Sequence, residues 1–126
     1  MAIPIIEPGL DNYDVYAGSA WQWPLIWEHD GSPVDLTGCQ ARMYGRINYP
    51  DLTTVFEIDE TTGITLGGAT GEITLFLSDT ITTAMGVSVG HEKTVILYDL
   101  EIEDATNVVQ ILRGVITLWP EATRQP

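Results

Sequence analysis

The sequence predicts an all-β fold, an antiparallel β-sandwich of Ig-like or jelly-roll-like type with about seven strands and one short helical turn. Three observations predict it. Apolar residues recur at every second position in run after run, which places one set of side chains on one face of a sheet. Clusters of Gly, Pro, Asp and Asn punctuate these runs. No periodic segment is long enough for the helix of a βαβ crossover. The 126 residues suit one domain, divided into an N-terminal arm at 1–12, a sandwich at 13–120 and a tail at 121–126.

The arm holds Ile3, Ile5, Ile6 and Leu10 around Pro4 and Pro8. Apolar side chains on an extended, proline-stiffened segment suit contact with another protein or a neighbouring copy, so these four are the candidate partner-binding residues. From Ser19 to His29, Trp21, Trp23, Leu25 and Trp27 alternate with Gln22, Pro24, Ile26 and Glu28. That is a strand, and Pro24 marks an edge or a bulge because it cannot donate a ladder hydrogen bond. Turn formers fill 29–38, and a strand from Cys39 to Ile47 sets Cys39, Ala41, Met43 and Ile47 against Gln40, Arg42, Tyr44 and Arg46. Further strands follow at Thr53 to Ile58, Ile64 to Leu66 and around Ile73, Leu75 and Leu77. Ser78 or Asp79 can cap one or two helical turns that Gly86 should stop. Thr94 to Ile102 buries Ile96, Tyr98, Leu100 and Ile102 on one face. In the last strand, Val108 to Trp119, the residues Val109, Ile111, Val115, Thr117 and Trp119 share a face opposite Gln110, Leu112, Gly114, Ile116 and Leu118.

Composition narrows the function. Five Lys and Arg against 18 Asp and Glu give a net charge of −13. Neither nucleic acid nor an anionic membrane fits that balance. Hydrophobic residues make up 44% of the chain, with a mean hydropathy of +0.08, enough to build a core rather than a disordered acidic tail. One cysteine, Cys39, excludes an internal disulfide and a four-cysteine zinc site. The first residues lack the basic start and long apolar stretch of a signal peptide, which points to a protein made in a cytoplasm.

No catalytic, cofactor-binding or metal-ligating set stands out, and the expectation is a protein that is not an enzyme and takes no cofactor. His29 and His91 are the only histidines; each lies by a glycine-containing turn, with no nucleophile elbow or paired-ligand spacing. Asp99, Glu101, Glu103 and Asp104 lack a calcium-loop spacing and read as a solvated strand face and hairpin rim. Gly67 to Gly71 lacks the lysine and helix of a phosphate loop. The tryptophans Trp21, Trp23 and Trp27 read as a core stripe or, if exposed together, as a carbohydrate-stacking platform.

The run Ser19 to Ile47 resembles the opening of small β-sandwich structural proteins of tailed bacteriophages, including the N-terminal domain of baseplate upper proteins. An aromatic first strand, the turn Gly31 to Gly38 and a strand ending in Arg46 carry the resemblance. Gly71 to Ser78, Thr82 to Met85, Leu97 to Ile102, Leu112 to Gly114 and Pro120 to Arg124 extend it. It implies a non-enzymatic virion protein, an assembly or adaptor component of tail, baseplate or fibre attachment, with capsid decoration as the neighbouring role. The implied partners are other virion proteins or further copies in a symmetric assembly.

Overall fold

A computed structural model describes residues 2–124; residue 1 of the expected arm and residues 125 and 126 of the expected tail lie outside them. Eleven strand segments form within that range: β1 (Gly9–Leu10), β2 (Tyr13–Tyr16), β3 (Trp21–Ile26), β4 (Glu28–His29), β5 (Ser32–Pro33), β6 (Gln40–Arg46), β7 (Phe56–Asp59), β8 (Ile64–Leu66), β9 (Glu72–Leu77), β10 (Thr94–Glu103) and β11 (Val108–Trp119). The helix α1 (Asp79–Ser88) joins β9 to β10. One sheet runs β1-β11-β10-β6-β7, with β2 also on β11; a second runs β3-β9-β8. The fold is the expected β-sandwich. All pairings are antiparallel except those of β1 and β2, which lie parallel to β11.

The core lies between the sheets, where Ile73, Leu75 and Leu77 of β9 meet Ile96, Tyr98, Leu100 and Ile102 of β10, all buried as the alternation predicts. β11 departs from the expected pattern. A register shift opposite Leu100 and Glu101 inserts Ile111 as an extra residue. Because the side-chain period of a strand is two, one extra residue exchanges the faces of everything beyond it. Val109 and Ile111 therefore point inward, as do Gly114, Ile116 and Leu118, while Val115, Thr117 and Trp119 turn outward.

The tryptophan strand is also corrected. Chain pairing ends at Ile26, and the Trp27 N–H donates to the Gly71 carbonyl at 2.8 Å. Trp27 is 6% exposed, Trp21 is half-buried and Trp23 is 41% exposed. β3 is an edge strand, so its inward face is covered from one side only; Tyr13 packs on Trp21 and Trp23 with ring centroids 5.0 and 5.2 Å away. Pro24 sits on this edge, where a missing donor breaks no ladder. The turn between β4 and β5 puts Asp30 at φ 52° and Gly31 at φ 80°, the two left-handed residues a tight hairpin demands.

Ser78 caps α1 as expected by accepting a hydrogen bond from the Ile81 N–H at 3.2 Å. Gly86 does not stop the helix, which continues to Ser88. Its missing side chain is what lets the helix approach Ala17. Buried Thr82 satisfies its hydroxyl by donating to the Ser19 carbonyl and accepting from the Gly18 N–H, which ties α1 to the corner between the sheets.

Candidate interaction face

The N-terminal arm, first of the predicted sites, belongs largely to the chain's own sandwich. Ile3 is 3% exposed and packs in the core. Its N–H donates to the Asp104 carboxylate at 2.6 Å and its carbonyl accepts from the Asn107 side chain at 3.1 Å. The arm then runs along β11, where the Asp11 N–H donates to the Arg113 carbonyl, the Val115 N–H to the Asn12 side chain, and the Tyr98 hydroxyl to the Asp11 carbonyl. Burial beside that hydrogen-bonded pair pushes the Tyr98 phenol up to about 12. Gly114 permits the close approach, since a Cβ there would strike the Asp11 carbonyl oxygen. Ile3 as a partner-binding residue is thus corrected, because unpaired edge groups of β11 and an apolar slot within the chain capture the segment. Ile6 packs partly against the same core, and only Ile5 and Leu10 remain largely exposed.

The remaining candidates are dispersed. His29 is a half-exposed residue at the end of β4 with Nε2 3.4 Å from Asp30; His91 follows the helix at φ 60°. Among the described residues no group of three His, Cys, Asp or Glu side chains is placed to hold a metal ion. Asp104 accepts N–H bonds from Asn107, Ile3 and Thr106, and those bonds hold its carboxyl below the usual range. It is a structural cap of the hairpin. Cys39 is half-buried, and burial pushes its thiol up.

What register assembles instead is the outer face of the six-stranded sheet. β6 turns Arg42, Tyr44 and Arg46 outward; β10 adds Leu97, Asp99, Glu101 and Glu103; β11 adds Arg113 and Val115. Cross-strand pairing sets Asp99 opposite Tyr44 on one side and Arg113 on the other, Glu101 opposite Arg42 and Leu97 opposite Arg46. Arg42 donates to Glu101 at 2.9 Å and to Glu103 at 2.8 Å. Arg46 is held by the 51–52 loop, donating to the carbonyls of Asp51 and Leu52. Tyr49 curls onto the face, its hydroxyl accepting from Arg113 at 2.9 Å and its ring 5.5 Å from the guanidinium.

Asp99 is the exception within this network. Among the described residues none donates a hydrogen bond to its carboxylate and none forms an ion pair with it. Two cavities of about 220 Å³ flank it, one toward Arg42 and Arg46 and one toward Gln110 and Arg113, with Tyr49 on the wall of both. Partial burial, and then the Glu101 charge, push its carboxyl above the usual range, against the pull of Arg113 and Arg46. On β6, β10 and β11 three arginines balance three carboxylates, with Glu57 and Asp59 of β7 at the border opposite Tyr44 and Arg42. Lys93 and Arg124 are then the only basic residues against fifteen acidic ones elsewhere in a chain that has 5 and 18. Tyr44, Tyr49, Val95 and Trp119 are exposed on the same side. The sequence places Arg42 and Arg46 on the polar face of one strand and Arg113 in another; their convergence depends on strand order, which alternation within one strand does not reveal.

Such a face, on an all-β scaffold without an assembled catalytic set among the described residues, defines a β-sandwich whose larger sheet carries an exposed outer face of mixed charge. No family model and no curated protein matches the sequence. Among solved structures, it is similar to one of voltage-gated sodium channel beta subunits, described for multimeric cell-adhesive interactions, at 11% identity over 95% of this chain and 100% of that chain, with a TM-score of 0.47. It is also similar to the extracellular domains of the sodium channel beta4 subunit, at 11% identity over 95% and 99%, with a TM-score of 0.43. The beta4 domains are described as parallel homodimers in cell–cell adhesion; that state is theirs.

These findings correct the expectation of a tailed-phage virion component, in tail, baseplate, fibre attachment or capsid decoration: the similar structures are adhesion domains, and no family model supports a phage protein. The sugar-platform alternative is corrected by geometry, since Trp21, Trp23 and Trp27 are not exposed together. Trp119, the fourth tryptophan, is 36% exposed at the end of β11, with Lys93 4.3 Å from its ring and Tyr16 stacked on it.

Proposed function

We propose that this chain is a non-enzymatic association domain that binds another protein surface through the outer face of its six-stranded sheet, around Tyr44, Tyr49, Leu97, Asp99 and Arg113. The observation that carries the reading is the meeting of tyrosine, arginine and half-buried aliphatic side chains on the one balanced region of an otherwise acidic surface. Tyrosine and arginine dominate the energetic centres of protein interfaces, because each offers a large rigid contact area together with directed hydrogen bonds. The rim turns acidic again at Glu57 and Asp59 on β7 and Asp14 on β2, which excludes water-seeking anions from the centre and limits the partners that can approach.

The test is a photo-reactive residue placed at Tyr44, or in a second variant at Thr74 on the outer face of the three-stranded sheet, in the cells that make the protein. A discrete protein adduct from position 44 and none from position 74 is the expected result. Equal labelling from both positions, or none from 44, overturns the reading.

A further inference from the structure

We infer that the partner on this face is a second copy of the same chain, related by a two-fold axis, with Asp99 of each copy receiving the Arg113 guanidinium of the other. The inference rests on the association reading above and names its partner. Asp99 and Arg113 are directly opposed across β10 and β11, yet they form no ion pair within the chain. The guanidinium turns to Tyr49 instead, which leaves the carboxylate without a donor and Arg113 exposed. One free acceptor and one exposed donor on a single rung make a self-complementary pair, since a two-fold axis places residue i on j and j on i.

Charge selects the same partner. A strongly basic protein would find fifteen carboxylates outside this centre and have no reason to prefer it. A second copy carrying −13 is repelled by every acidic surface and meets least repulsion where three arginines balance three carboxylates. The cavities on either side of Asp99 give a guanidinium room to enter. With Tyr44 and Leu97 around it, the Asp99–Arg113 pair at the centre of an interface would fix register, and removing or reversing one partner would leave the other charge buried and unpaired, which costs more than breaking an exposed pair.

The experiment is sedimentation velocity of the full chain over a concentration series, with D99R and R113D measured alone and as an equimolar mixture. Wild type is expected to dimerise reversibly. Each variant alone sets like charges against each other twice and should dimerise at least about tenfold more weakly; the mixture restores both pairs and should dimerise as wild type does. Should either reversal fail to fold by circular dichroism, D99N, R113Q and the double variant replace them, and the double is expected to be no weaker than either single because all remove one contact. A wild type that stays monomeric to about 1 mM, while position 44 still traps another protein, overturns the second copy and leaves the association reading standing. Dimerisation without rescue in the mixture, or additive losses in the double, overturns the Asp99–Arg113 pairing. No adduct at position 44 removes the association reading itself.

Discussion

On its inner side β10 presents Ile96, Tyr98, Leu100 and Ile102, all buried, while the alternate residues Leu97, Asp99, Glu101 and Glu103 form a half-open face of mixed charge. The same backbone hydrogen bonds hold both sets, so the difference between them is side-chain chemistry alone. The inner set is held by burial, which is indifferent to direction and proportional to area. The outer set is held by register, because only this strand order sets Arg42 against Glu101, Arg46 against Leu97 and Arg113 against Asp99. One face therefore secures the fold, and the other is free to be specific.

The largest effects should come from breaking the inner face. Leu100→Ala or Ile116→Ala leaves a cavity between the sheets and should lower unfolding stability by about 2–5 kcal/mol, whereas Leu97→Ala, on the half-buried outer face of the same strand as Leu100, should lower it by under about 1.5 kcal/mol. Urea denaturation of the three variants measures both. Comparable losses at positions 97 and 100 would show that the outer face is a second core.

Next in size is the edge that joins the two faces. Gly114→Ala drives a methyl group into the Asp11 carbonyl, and the arm must shift from β11, with an expected loss of about 1–3 kcal/mol. Hydrogen exchange should locate the new exposure at the N–H groups of Asp11 and Val115. An unchanged arm would mean that the backbone relaxes elsewhere.

The contrast also explains what the sequence could reveal. Stripes such as Ile73, Leu75 and Leu77 were legible because burial writes itself into local alternation, and Ser78 announced its helix by the chemistry of a cap. β11 misled because a bulge at Ile111 shifts the phase without any glycine or proline to mark it. Trp23 misled because alternation assigns a face but not a distance from the sheet edge. The arm looked unpartnered because its partner, β11, lies a hundred residues further along the chain. The outer face was least visible of all: its residues come from β6, β10 and β11, and charge pairs between strands leave no period in any of them.

A smaller effect is expected at the ion pairs. Arg42 is about one-third exposed, as are Glu101 and Glu103, so solvent screens both contacts, and Arg42→Gln should lower stability by no more than about 1 kcal/mol. Denaturation in low and high salt checks this, since the wild-type advantage should shrink as salt rises. A larger, salt-independent loss would mean that the alkyl stem of Arg42 packs as an inner-face residue does.

The smallest change compares two aspartates of the same hairpin, and its sign is opposite at the two positions. Backbone N–H bonds hold Asp104 below its ordinary range, so it stabilises the fold at pH values above its unfolded range, and that contribution disappears as pH falls through its folded value. Asp104→Asn should therefore lower the melting temperature at pH 7, with the difference closing in acid. Asp99 is raised by burial and by Glu101; its ionisation works against the native state as pH rises through the folded value and has no effect below the unfolded one. Asp99→Asn should accordingly raise the melting temperature slightly at pH 7 and leave it unchanged near pH 3, when both are measured at concentrations low enough to keep the chain monomeric. A carboxylate that destabilises the isolated fold, on a face with no donor for it, is the feature expected of a group kept for contact with another surface. A melting temperature lowered by Asp99→Asn under those dilute conditions would instead give the carboxylate a stabilising partner within its own chain.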